Sequence, residues 1–199
     1  VSFMYRQGYF RQYLNADGWQ QEHYPENDFF NMPVQEVIGQ DGKPVIIDCD
    51  FPGYVVKAKL WVVRVGRVPL YLMDTNIPEN SPENRGITAQ LYGGDIEMRI
   101  RQEMLLGMGG YRALLALGKQ PSVIHMNEGH AAFASLEATY RVMTDKGVDF
   151  ETASTVVKAA CCFTTHTPVP AGNDVFEPEL VDKYLNHYYS RLGIGRDGV

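Results

Sequence analysis

Two apolar runs in this chain stop abruptly at polar turns, and that pattern constrains the fold more than any other feature. The first is Ser122-Val-Ile-His-Met-Asn-Glu-Gly-His130. The second is Cys162-Phe-Thr-Thr-His-Thr-Pro-Val-Pro-Ala-Gly-Asn-Asp-Val-Phe176. In the second, the run ends at Thr164, and Pro168, Pro170 and Gly172 then forbid regular structure. Helical patterns separate the two runs, so the spacing predicts parallel strands joined by right-handed crossovers. In an open α/β sheet, ligands bind beyond the carboxyl ends of the strands. His166, fixed there between two threonines, is therefore a site candidate.

The segments before these runs set the rest of the architecture. Residues 1–35 read as aromatic-rich and irregular. Residues 45–50, 55–65 and 68–73 read as three strands of an antiparallel meander, turned at Pro52-Gly53 and Gly66-Arg67. In the middle strand Val56, Ala58, Leu60 and Val62 share one face, with Lys57 and Lys59 on the other. From Asp95 the period changes to helical, with Ile96, Ile100, Met104, Met108, Tyr111 and Leu115 on one face. Gly107, Gly109 and Gly110 interrupt it, predicting either a close helix contact or a break into two helices. A helix with Phe133, Leu136, Tyr140 and Met143 on its stripe then stops at Lys146-Gly147. Asp149 caps another, with Phe150, Ala153, Val157 and Ala160 facing inward. A single domain over 1–199 is the simplest organisation.

The composition, 45% hydrophobic and 21% charged over 199 residues, is that of a globular protein with a sizeable core. A net charge of −6 argues against nucleic acid as a partner. No apolar run reaches the ~20 residues that span a bilayer, so no membrane is expected. Three cysteines without framework spacing read as buried thiols in a reducing compartment, and a cytoplasmic location is expected.

Several residue groups carry chemistry, each with a plainer reading beside it. The His166 imidazole can bond a ligand hydroxyl or simply brace its loop. Asn127, Glu128 and His130 can fix hydroxyls or one another. His125, Glu128 and His130 offer metal-ligand types, but their spacing is wrong for two histidines on one helix face, and no metal is expected. Gly93-Gly94-Asp95 could cradle a phosphate, yet it lacks the Walker lysine and Asp95 would repel the anion. Helix capping by Asp95 is the favoured role. Tyr5, Tyr9, Phe10 and Trp19 could stack on a ring-shaped ligand, although packing in the core is the favoured reading.

Taken together, the two strand-end segments resemble the α-glucan phosphorylases, in particular their shorter bacterial and archaeal branch. Further blocks do so in the same order: Tyr5-Arg-Gln-Gly-Tyr-Phe-Arg-Gln12, Gly18-Trp-Gln-Gln-Glu22, Tyr71-Leu-Met-Asp-Thr-Asn76 and Leu91-Tyr-Gly-Gly-Asp-Ile-Glu-Met-Arg-Ile-Arg-Gln-Glu103. The resemblance implies an α/β fold, part of the N-terminal Rossmann-like domain of a GT-B glycosyltransferase with the meander inserted before its parallel portion. It implies that the chain is a fragment lacking the C-terminal cofactor-binding domain. It also implies transfer of a glucosyl unit from an α-1,4-glucan to inorganic phosphate. His166 would be catalytic, with Asn127, Glu128, His130 and Thr167 binding substrate. Glu128 stands where longer relatives carry Asp, which leaves a supporting role for it open. Pyridoxal 5′-phosphate is implied for the whole enzyme, with its lysine outside this chain and no cofactor bound to the fragment, which is expected to be inactive. Family members are commonly dimers. The rivals are a nucleotide-sugar-dependent glycosyltransferase and a non-catalytic glucan-binding module.

Overall fold

A computed structural model describes residues 1–91, 93–169 and 174–195. The fold is mixed α/β. Its strands are β1 (Ser2–Phe3), β2 (Arg11–Leu14), β3 (Gln20–His23), β4 (Gln35–Glu36), β5 (Ile46–Phe51), β6 (Tyr54–Val65), β7 (Val68–Asp74), β8 (Ile124–Asn127) and β9 (Cys161–Thr164). The helices are α1 (Ile96–Met104), α2 (Gly110–Ala116), α3 (Ala134–Lys146), α4 (Phe150–Ala160) and α5 (Pro178–Leu192). The chain divides into two compact units. One holds residues 1–46 and 57–94; the other holds 47–56 and the residues from 95 onward.

The first unit holds the last two strands of the expected meander. β6 pairs antiparallel with β7, from Lys59↔Asp74 to Val65↔Val68. β1 then adds parallel to β7, and β4 adds antiparallel to β6. Ala58 and Leu60 are fully buried, as the face assignment requires. The other face is not left to lysines alone, because Trp61 packs there with Met4 and Leu72. Its indole Nε1 donates to the buried Asp74 carboxylate at 3.3 Å. Lys59 lies 4.4 Å from the Trp61 ring centre and pairs with Glu36 at 2.6 Å.

Residues 1–35 contain more regular structure than expected. β2 and β3 form a hairpin, Arg11↔His23 to Leu14↔Gln20, closed at Gly18 with φ +82°. Every residue of both strands is exposed, so no hydrophobic alternation marks them. The core role favoured for Tyr9 and Trp19 is overturned. They are 69% and 74% exposed, and Tyr9 stacks on Phe10 at 4.6 Å instead of entering a core.

The second unit begins with the β5–β6 turn and continues through the helices. Asp95 caps α1 by accepting from Met98 N–H at 2.8 Å, and Asp149 caps α4 by accepting from Thr152 N–H at 2.9 Å. Gly147 ends α3 in the left-handed region at φ +65°. Between α1 and α2 the chain makes a π-helical turn over Leu105–Gly109. Of the two expectations for the glycines the close contact is the one that holds: a side chain at Gly107 would lie 2.6 Å from the Ala134 amide, while the winding continues through the π turn without a break. Ile96, assigned to the buried face, is 48% exposed.

The stripe of α3 is displaced from the one expected. Ala134, Glu137, Ala138 and Thr139 are its buried residues, while Phe133, Leu136, Tyr140 and Met143 are half-buried. Ala153 and Val157 of α4 are buried as expected. Contrary to the expectation of three buried thiols, Cys162 is exposed and Cys161 half-buried; Cys49 is fully buried, its thiol pushed up to about 12 by burial. No helix among the described residues is long and apolar enough to cross a membrane.

Candidate functional site

β8 and β9 run parallel in the register Ile124↔Cys161 to Asn127↔Thr164, so both strand ends open at the same edge. The ladder continues one step further, with Glu128 N–H donating to the Thr164 carbonyl at 2.8 Å. Side chains knit the same edge. His125 Nε2 lies 2.7 Å from Thr164 Oγ1, and His166 Nε2 lies 2.7 Å from Asn127 Oδ1. An amide oxygen can only accept, so the His166 Nε2 carries the proton and Nδ1 remains available on the exposed ring. His166 is therefore not sealed in the interior. Pro170 and Gly172, read as stiffeners of this loop, lie outside the described residues.

Glu128 holds the loop that carries His166. Its Oε1 accepts from the amides of His166 and Thr167 at 2.6 and 3.0 Å and from the Thr167 hydroxyl at 3.2 Å. Its Oε2 accepts from the Thr165 hydroxyl at 3.1 Å. The His166 amide, helped by these other donors, holds the carboxyl below the usual carboxylate range. Glu128 achieves this from φ +60° and ψ −174°, a region that side-chain-bearing residues rarely occupy. Such a conformation costs on the order of 1–3 kcal/mol and persists only where the surroundings over-determine it.

His130 lies on the next short turn and faces a different group. Its Nδ1 is 3.7 Å from the carboxylate of Glu103, a buried residue of α1. Burial, reinforced by Asp174, raises the Glu103 carboxyl, while His130 opposes the rise. Ligand-type atoms of Glu103, His130 and Asp174 lie within 4.8 Å of one another. However, Arg99 already binds Asp174 through Nη2 at 2.6 Å and Nε at 3.0 Å, so a guanidinium supplies the positive charge. The trio is joined to the Arg99–Asp174 ion pair in one polar cluster. The metal set weighed on sequence, His125 with Glu128 and His130, is not assembled: His125 turns to Thr164 and Glu128 is committed to the 165–167 turn.

The structure thus brings Asn127, Glu128, His166 and Thr167 into one hydrogen-bonded edge and links His130 to Glu103. Sequence reading missed Glu103 and Asp174. A carboxylate beside Ile100 and Met104 on an apolar helix face was the available signal for Glu103. Asp174 shows itself only in the fold, through its contact with Arg99 and its place beside Glu103 and His130.

Two hollows lie elsewhere. A cavity of about 250 Å³ in the first unit is lined by Arg6, Asp74, Asn76 and Arg85, among others. Its Asp74 and Arg85 are already bonded within the protein, so it is not read as a ligand site. An apolar groove of about 600 Å³ flanks β8 and β9 along α3 and α4, and none of the candidate residues lines it.

No family model matches the sequence. Individual proteins do. The chain is 49% identical over 192 residues to a glycogen phosphorylase of Mycobacterium tuberculosis, covering 94% of this chain and 22% of that one. It is 43% identical over 204 residues to a maltodextrin phosphorylase of Thermococcus litoralis, covering 100% and 24% respectively. A glycogen phosphorylase of Aquifex aeolicus is 34% identical over 183 residues, covering 92% and 26%. The chain therefore spans about a quarter of the length of these relatives, or slightly less. With the same phosphorylases matched along nearly all of its residues, this chain belongs to the glycogen and maltodextrin phosphorylase family.

Proposed function

We propose that these 199 residues belong to the N-terminal Rossmann-like half of a GT-B α-1,4-glucan phosphorylase. The complete protein would transfer the terminal glucosyl unit of glycogen or maltodextrin to inorganic phosphate, giving α-glucose 1-phosphate. The observation carrying this reading is the 49% identity to a glycogen phosphorylase over 192 residues, together with the polar edge at the carboxyl ends of β8 and β9. Nothing in the geometry favours a nucleotide-sugar enzyme or a plain binding module.

In this reading His166 and its loop form one wall of a glucosyl pocket. Glycosyl transfer passes through an oxocarbenium-like state. A backbone carbonyl held beside the anomeric carbon would stabilise the developing positive charge, at no cost in reorganisation. The Nδ1 of His166 is free to meet a sugar hydroxyl, while Asn127 fixes the ring through Nε2. Thr167 spends both amide and hydroxyl on Glu128, so its role is to shape the loop. His130 lies beside Glu103, and in this reading it too would bind sugar.

Pyridoxal 5′-phosphate, implied for the whole enzyme by family membership, would supply a phosphate group for proton transfer to substrate phosphate. None of the residues gathered at this edge is a lysine, so the edge does not fit a Schiff-base cofactor.

The test uses the full-length protein with maltodextrin and inorganic phosphate. Phosphate-dependent release of glucose 1-phosphate is expected, and His166→Ala should lower kcat about 100-fold or more while leaving Tm nearly unchanged. Turnover that requires a nucleotide sugar, or maltodextrin binding without turnover, would replace this reading with one of its rivals.

A further inference from the structure

The geometry points to Glu128 as a positioning residue that aims the His166 carbonyl, rather than as a group that touches sugar. This inference rests on the phosphorylase reading for its catalytic consequence but not for its geometry. Both carboxylate oxygens of Glu128 are occupied by donors from Thr165, His166 and Thr167, with three of the four hydrogen bonds converging on Oε1. The carboxylate is buried and turned toward the loop.

The consequence follows from peptide planarity. In a trans peptide the N–H of one residue and the C=O of the residue before it point in opposite directions. The Thr167 N–H points at Glu128, so the His166 carbonyl points away from it. The His166 N–H also points at Glu128, which turns the Thr165 carbonyl outward as well. Two successive peptide planes are thus fixed by one side chain.

The root of that side chain is equally fixed. Its own amide is tied into the β8–β9 ladder through Thr164, and its backbone sits at φ +60°. An unstrained backbone at this position would swing the carboxylate off the loop. The rare conformation is what an aiming device requires and what a simple sugar ligand would not need.

The test compares Glu128→Gln and Glu128→Gly in the full-length protein. Glycine removes the clamp while relieving the backbone, so a fall in activity is not caused by unfolding. For Glu128→Gly, kcat should fall about 100-fold with KM for maltodextrin changed by less than about threefold and Tm held or raised. Glu128→Gln, which keeps shape and one acceptor oxygen, should recover part of that loss. Amide hydrogen exchange across residues 165–167 should quicken in Glu128→Gly. A raised KM with kcat retained would mean direct sugar contact and overturn the proposal. So would a change confined to Tm, or unchanged exchange across the loop. If the wild-type protein releases no glucose 1-phosphate at all, the phosphorylase reading fails, and the exchange measurement alone decides whether the clamp exists.

Discussion

Glu128 and Glu137 are both carboxylates surrounded by donors in the same unit, yet they do opposite work. Glu137 is fully buried on α3 and meets Arg112 at 2.9 Å, Arg141 at 2.8 Å and the Tyr188 hydroxyl. Arg112 also reaches the Asp48 carbonyl and Asp50, and Asp50 in turn binds Arg191 at 2.7 Å. This network ties the β5 strand, α2, α3 and α5 together. Glu128 instead binds only backbone and hydroxyl groups of one adjacent turn and carries backbone strain. A satisfied carboxylate is therefore informative only through its partners. Charged partners on distant elements make an anchor, whereas neutral donors on one loop make a guide for that loop.

The largest effect should come from Glu137→Ala, which leaves the Arg112 guanidinium buried without its main counter-ion. Loss of one member of such a pair costs about 3–5 kcal/mol, to be read from denaturant midpoints. The same truncation at Glu128 should cost far less stability, and equal losses at both sites would erase the contrast. Gly107→Ala comes next. Its new methyl would press on the Ala134 amide, and a loss of about 1–3 kcal/mol in thermal or denaturant melts is expected.

Acid sharpens the comparison further. At Glu137 burial alone would raise the carboxyl, but Arg112, Tyr188 and Arg141 outweigh it and the net shift is downward. Its contribution is therefore fully present above the ordinary carboxylate range and is lost as pH falls through the lowered folded value. Glu103 behaves oppositely, because burial raises its folded value. What it contributes is present below the ordinary range and fades as pH rises through that value. A stability–pH profile of Glu137→Gln should lose the acid-side slope, while Glu103→Gln should retain it. The smallest effect is at a surface cap: Asp149→Ala should cost about 1 kcal/mol by Tm, with no change in the residues around His166.

Much of this could be read from residue order, and the reason is local. β5 alternates in burial and β6 does so in its middle, and turn residues bound all three strands, so β5, β6 and β7 fall within one residue of their expected ends. Asp95, Asp149 and Gly147 mark helix ends because the groups they satisfy are a few residues away. The strand-end loops announced His166 and Asn127 by the same logic. What stayed hidden depends on distant partners. Trp19 and Tyr9 look like core residues by type, and only the exposed hairpin shows otherwise. Glu137 looks like an ordinary surface residue until Arg112 and Tyr188 arrive from α2 and α5. α5 itself, with Tyr184, Leu185, Tyr188 and Leu192 buried, lies in a tail with no distinctive motif. Glu128 was placed at the site by sequence, but its commitment to the 165–167 turn required coordinates.

The widened winding at Leu105–Gly109 governs where Arg112 aims. A π turn accommodates one residue more than an α turn, and each helical residue advances about 100° around the axis. Rewound at the ordinary pitch, the same segment would carry the guanidinium roughly a quarter-circle away from Glu137 and Asp50. This turn thus acts as a phase adjuster, and the charge lattice joining four elements depends on that one added step.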